Sequence, residues 1–197
     1  MVWHWISAGV LAVVLVTAAV CDLARGKVFN WLTYPAIVAG LALGALSGAF
    51  DGAGGGAWDG LTDRVLGFGF GFGVLLVAYL VGGMGGGDVK LMGAVGALVG
   101  WNGLASHAAL HAVFYSFMTA AAVGLILVIW RGQTWTVLRK LFLAVRILPL
   151  PKARMDEAVG GDTIHVPFGF AVCVGTLWFL AEDLIGTSLW EGVAGLV

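Results

Sequence analysis

The run Val65-Leu66-Gly67-Phe68-Gly69-Phe70-Gly71-Phe72-Gly73-Val74-Leu75-Leu76-Val77-Ala78-Tyr79-Leu80-Val81-Gly82 admits two readings. Its glycines and phenylalanines alternate with period two, the pattern of a half-buried strand. The rest of the chain decides against a strand. Of the 197 residues 60% are hydrophobic and 11% charged, with a mean hydropathy of +1.00, where a soluble domain carries about 25% charged residues. Such a chain is solvated by lipid, and an isolated strand there would leave its backbone N–H and C=O groups without partners. A helix pairs them internally. Wound as a helix, Gly67 and Gly71 fall on one face and Gly69 and Gly73 nearly opposite, so 65–82 is expected to be a membrane helix packed closely on two sides.

Outward from this run lie five more apolar stretches of spanning length, roughly 17–25 residues each. The expected spans are 3–20, 31–50, 65–82, 89–106, 108–130 and 166–181. The chain therefore reads as all-α, a polytopic integral membrane protein with about six transmembrane helices and a single membrane-embedded domain over 1–197. In the fourth span Gly100-Trp101-Asn102-Gly103 is a turn signal that can end the helix early. The first run is not read as a cleaved leader, because no Lys or Arg precedes it and the first basic residue is Arg25. Cys21 follows Val20 where a lipoprotein cleavage site needs a small residue, and Cys173 is remote, so no CxxC pair, zinc ribbon or disulfide framework is expected. Both thiols read as small buried hydrophobes.

Basic residues orient the spans, since Lys and Arg accumulate in cytoplasmic loops. Arg25 and Lys27 follow the first span, Lys90 the third, and Arg131, Arg139, Lys140, Arg146, Lys152 and Arg154 the fifth, which puts nine of the ten basic residues on one side. Only Arg64 is left for the other side, in what reads as an acidic loop with Asp51, Asp59 and Asp63. The N terminus is expected outside, with a cytoplasmic loop at about 131–166 whose basic amphipathic stretch, 137–148, can lie on the inner leaflet. A net charge of −1 gives no bulk signal for nucleic acid, and none is expected as a partner.

Two carboxylates stand apart from the solvated ones. Asp22 and Asp88 lie where apolar spans meet the expected cytoplasmic side, and a carboxylate at the centre of a membrane helix costs about 2.5–3.5 kcal/mol. Two carboxylates at one depth that share a proton can hydrolyse a peptide bond: the ionised group takes a proton from water while the other donates to the carbonyl. The alternative is that each decorates a helix end in headgroup water, and from position alone the two readings stand level. Around Asp88, Gly82-Gly83-Met84-Gly85-Gly86-Gly87 holds five glycines, which make a bare, extended loop that a substrate backbone can approach. A phosphate-binding loop would need GxxxxGK[ST] where Asp88 stands, and the GxGxxG pattern fails there too.

These residues carry a resemblance. Gly83-Met84-Gly85-Gly86-Gly87-Asp88-Val89-Lys90-Leu91 resembles the GxGD active-site motif of the type IV prepilin peptidases and their archaeal preflagellin relatives, with the usual Lys-Leu continuation. Asp22 with Asn30-Trp31-Leu32-Thr33 resembles the first catalytic aspartate and the N-x-L-T signature that follows it. Val166-Pro167-Phe168-Gly169-Phe170-Ala171 is similar to a third, weaker conserved segment, so the resemblance covers nearly the entire chain. It implies a membrane aspartyl endopeptidase of the prokaryotic inner membrane with Asp22 and Asp88 catalytic. Its implied partners are prepilin or pseudopilin-like substrates with class III leaders, and the lipid bilayer; no cofactor or metal is implied. Phe29 departs from the proline that many members place before the asparagine. The paired CxxC segment associated with N-methylation in larger members is missing, so the chain resembles the short, peptidase-only form. Presenilin-type GxGD proteases fit less well: Cys21-Asp22 stands in place of Tyr-Asp, there is no Pro-Ala-Leu, and the expected spans are too few.

The active-site loop or substrate candidates are Gly85, Gly87, Lys90, Arg25 and Asn30. Lys90 stands two positions beyond Asp88, about 200° around a helix, and is expected to point away from the pair and reach the headgroups. Arg25 and Asn30 can equally serve orientation and helix capping. His107 and His111 have i,i+4 spacing, but Ala108 stands where a zinc protease has glutamate. Two other functions fit the carboxylates less well. A small proton-coupled transporter would show broken helices and an internal repeat, and a non-catalytic pilus or secretion assembly factor would not need both Asp22 and GxGD.

Overall fold

The computed structural model describes residues 2–50, 56–80, 84–102, 107–130 and 167–185. They form six helices: α1 Val2–Arg25, α2 Asn30–Phe50, α3 Gly56–Leu80, α4 Gly86–Val99, α5 Ala108–Trp130 and α6 Phe168–Ile185, with no strand among the described residues. The protein is an all-α membrane protein; α1, α2, α3 and α5 are long and apolar enough to cross a bilayer. The chain divides into two compact units, Met1–Thr119 with Pro167–Val197, and Ala120–Val166. Of the second unit the described residues are 120–130, the end of α5; the expected loop 131–166 and its basic stretch lie outside the described residues.

In the first unit α4 is the hub. It packs against α1, α2, α3 and α6, and Val89 and all of 91–99 are buried. Its 14 residues rise about 21 Å at 1.5 Å each, short of the ~30 Å hydrocarbon core. The turn signal after it acts as expected. Gly100 adopts φ +78°, donates its N–H to Gly96 O at 2.8 Å and ends the helix. Asp63 then holds the turn, its carbonyl accepting from the Trp101 N–H at 3.1 Å and its Oδ1 from the Asn102 N–H at 2.7 Å.

Glycines set how closely the helices approach. Gly67 of α3 and Gly96 of α4 face each other so tightly that a Cβ on either would collide with the other's carbonyl oxygen. A Cβ at Gly71 would fall 2.6 Å from Met92 O, and one at Gly40 of α2 2.6 Å from the Ala97 carbonyl carbon. Apolar burial does not drive helices together in lipid, so these close van der Waals contacts carry much of the association. The second glycine face behaves differently from the expectation: among the described residues, a Cβ at Gly69 or Gly73 meets nothing within 4 Å. The other neighbour of α3 is α2, reached through Gly60 against Gly44 and Gly48. Because α2 also packs on α4, the three helices form a triangle.

Two expected boundaries move. Arg64, with Asp59 and Asp63, is not in a loop but inside α3, which begins at Gly56. The helix can continue through these charges because Arg64 is buried and donates to Leu98 O near the C-terminus of α4, where the helix dipole favours a cation, and to Ser7 Oγ of α1 at 3.5 Å. At the other end of the unit α1 runs past the apolar stretch to Arg25. Gly26 stops it by taking φ +61° and donating its N–H to Asp22 O at 2.7 Å, an αL cap. Asp22 therefore lies within the last turn of α1 rather than beyond it.

Candidate active site

Four helix ends converge at one end of the first unit: the C-terminus of α1 and the N-termini of α2, α4 and α6. The short connection from Arg25 to Asn30 puts the first two side by side, and particular contacts fix the others. A Cβ at Gly87 would lie 3.0 Å from Val28 O, so the start of α4 rests against the connection between α1 and α2. Lys90 Nζ donates to Asn30 Oδ1 at 2.9 Å and stands 5.2 Å from the Tyr34 ring centroid. Phe168 and Gly169 open α6 beside Asp22.

Asp88 is the third residue of α4, entered from Gly85, whose φ −78° and ψ 144° are extended. It is half-buried, while Gly85 and Gly86 beside it are exposed. A Cβ at Gly85 would sit 3.2 Å from Asp88 Oδ2, so the absence of a side chain at 85 keeps that flank of the carboxylate lined by backbone. Asp22 is 5% exposed, a depth at which a carboxylate needs hydrogen-bond donors. One is the Phe170 N–H, which donates to Asp22 Oδ2 at 3.2 Å. A Cβ at Gly169 would come within 3.1 Å of Asp22 Cβ, Cγ and Oδ2. Each aspartate thus has a glycine pressed against its carboxylate.

The remaining sequence candidates have specific places. Lys90, expected to reach the headgroups, is instead engaged with Asn30 and Tyr34, because the N-terminus of α2 lies beside that of α4. The pair ties α2 to α4. Arg25 sits 5.4 Å from the Phe29 ring centroid, so the phenylalanine at the usual proline position is a cation–π partner. His107 adopts φ 56° with its ring 5.6 Å from Trp101, and His111 lies 6.0 Å from Phe179; neither is at the aspartate end. The residues that sequence reasoning left off the site are Gly169, the Phe170 amide and Tyr34. The signal for the first two was present in Pro167-Phe168-Gly169, a proline just ahead of a helix start and a glycine at the helix's second position.

The Lys90–Asn30 tether is expected to be modest. Lys90→Ala or Asn30→Ala should each cost about 1 kcal/mol or less, a fall of roughly 2–4 °C in melting temperature. The double variant should fall little further, because both remove one interaction; thermal unfolding in detergent reads it.

A family model described as the type IV leader peptidase family matches residues 9–129, a span that contains both Asp22 and Asp88. No curated protein and no solved structure matches the chain.

Proposed function

This chain belongs to the type IV leader peptidase family, and from that premise we propose that it is an aspartyl endopeptidase that uses Asp22 and Asp88 to remove class III leaders from prepilin-like substrates. The observation that carries the reading is the convergence of the α1 and α4 ends: a buried carboxylate and a half-buried one at the same end of one unit, the second behind exposed glycine backbone. In the proposed reaction one aspartate takes a proton from water as the water attacks the scissile carbonyl carbon, and the other donates a proton to the carbonyl oxygen. Collapse of the resulting diol breaks the C–N bond, and the leaving amine takes the proton that the first aspartate held. A diol proton returns to the second aspartate and restores the pair.

The distribution of basic residues supports an orientation with this end in the cytoplasm of the inner membrane and the N terminus outside. The substrate's apolar helix then lies in lipid with its basic leader at the aspartate end. Long-range steering does not account for leader choice, because the expected cytoplasmic segments carry nine basic residues against Asp22, Asp88, Asp156, Glu157 and Asp162. Recognition is local, at the glycine-lined approach to Asp88.

Co-expression with candidate prepilins, with the product's N terminus read by mass spectrometry, tests the reading. The expected product is cleaved and unmethylated, because the chain has only Cys21 and Cys173 and no CxxC segment. An uncleaved substrate would overturn the peptidase assignment; a methylated product made by this protein alone would overturn the peptidase-only part.

A further inference from the structure

We propose that the N-terminus of α6 is a working part of the active centre: the Phe170 N–H positions the Asp22 carboxylate, and Gly169 is the residue that lets it do so. This rests on the peptidase reading above. The segment lies outside residues 9–129, which the family model matches.

The geometry is specific. Ala171 donates its N–H to Pro167 O at 3.2 Å, the first bond within this helix, so the Phe170 N–H belongs to the first turn, whose amides have no partner along the helix. It points to Asp22 Oδ2 at 3.2 Å, across from α1 and near the positive end of the α6 dipole. A hydrogen bond from a backbone amide to one carboxylate oxygen fixes that side chain's rotamer. Gly169, one residue earlier, is buried and rests on the same carboxyl group. A Cβ there would lie 3.1 Å from three Asp22 side-chain atoms, closer than ordinary van der Waals contact, so a side chain at 169 makes the Asp22 carboxyl give by a few tenths of an ångström, a shift that lengthens its 3.2 Å bond to the Phe170 N–H. Asp22 could merely cap α6, as aspartates cap helices elsewhere. The two roles differ in what they change: capping alone affects how much protein is folded, whereas positioning affects turnover by the folded protein.

Phe170→Pro and Phe170→Ala both remove the ring, and only proline removes the N–H. With a synthetic prepilin peptide and purified protein in detergent, kcat of Phe170→Pro should fall about ten- to a hundredfold below that of Phe170→Ala, with KM within about threefold. Gly169→Ala, which favours the helix and crowds Asp22, should likewise lower kcat about tenfold or more without lowering the melting temperature. It decides the question if the proline variant fails to fold. Equal kcat for the two Phe170 variants together with wild-type kcat in Gly169→Ala would overturn the inference, as would losses that track the melting temperature alone. Asp22→Asn, assayed alongside, separates the premises: full cleavage in that variant would remove the peptidase reading, whereas an inactive Asp22→Asn with unaffected Phe170 and Gly169 variants would remove only this inference.

Discussion

Asp22→Asn and Asp88→Asn are each expected to reduce leader cleavage by roughly 10³-fold or more, while the protein still inserts and folds. The loss follows from the chemistry. Asparagine keeps the volume of aspartate but can neither take a proton from the attacking water nor return one to the substrate. Folding should survive because the side-chain oxygen of an asparagine at 22 can still accept the Phe170 N–H that now reaches Asp22 Oδ2. Asp88 is only half-buried at the start of α4, where neutral capping-type residues are well tolerated. The double variant should be little worse than either single one, because two groups that pass one proton between them act as a unit. Purified variants assayed against a synthetic prepilin, with melting curves measured in parallel, read both effects. Full activity in either single variant would remove the aspartyl mechanism.

The membrane class and the helix order were legible because hydropathy is a property of whole segments and survives any detail of packing. The candidate site rests on a different signal: a carboxylate at a lipid boundary is expensive, which singles out Asp22 and Asp88 but leaves two readings level, and the resemblance of the residues around Asp88 to the GxGD motif is what makes the pair the candidates. Side-chain partnerships were less so. Arg64 reads as a loop residue because a charge interrupts the apolar run, yet it is buried against Leu98 O, a partner 34 positions away that no local pattern reveals. Lys90 faces away from Asp88 by helical geometry, as read, but only the packed fold shows that Asn30 waits there. The Phe170 amide is a backbone group. Sequence carries no symbol for where it points.

The glycines of α3 give the sharpest test of the packing, because two faces of one helix make opposite predictions for one substitution. Gly67→Ala or Gly96→Ala places a methyl group against the facing carbonyl oxygen of α4 or α3, and helix axes held by backbone contact cannot absorb it without separating. Each is expected to cost about 1–3 kcal/mol, or roughly 2–4 °C of melting temperature per kcal/mol in a chain of this size. The double variant should cost less than the sum, since both changes open the same contact. Activity should fall with them, because the helix displaced is the one that carries Asp88. Gly69→Ala and Gly73→Ala put the same methyl group where no described residue lies within 4 Å and should leave the melting temperature unchanged or slightly raised, alanine being the better helix former. Thermal unfolding of the four single variants in one detergent decides the matter. Equal losses from both faces would mean that α3 is covered on its second side after all, and that the triangle of α2, α3 and α4 is not the complete packing unit.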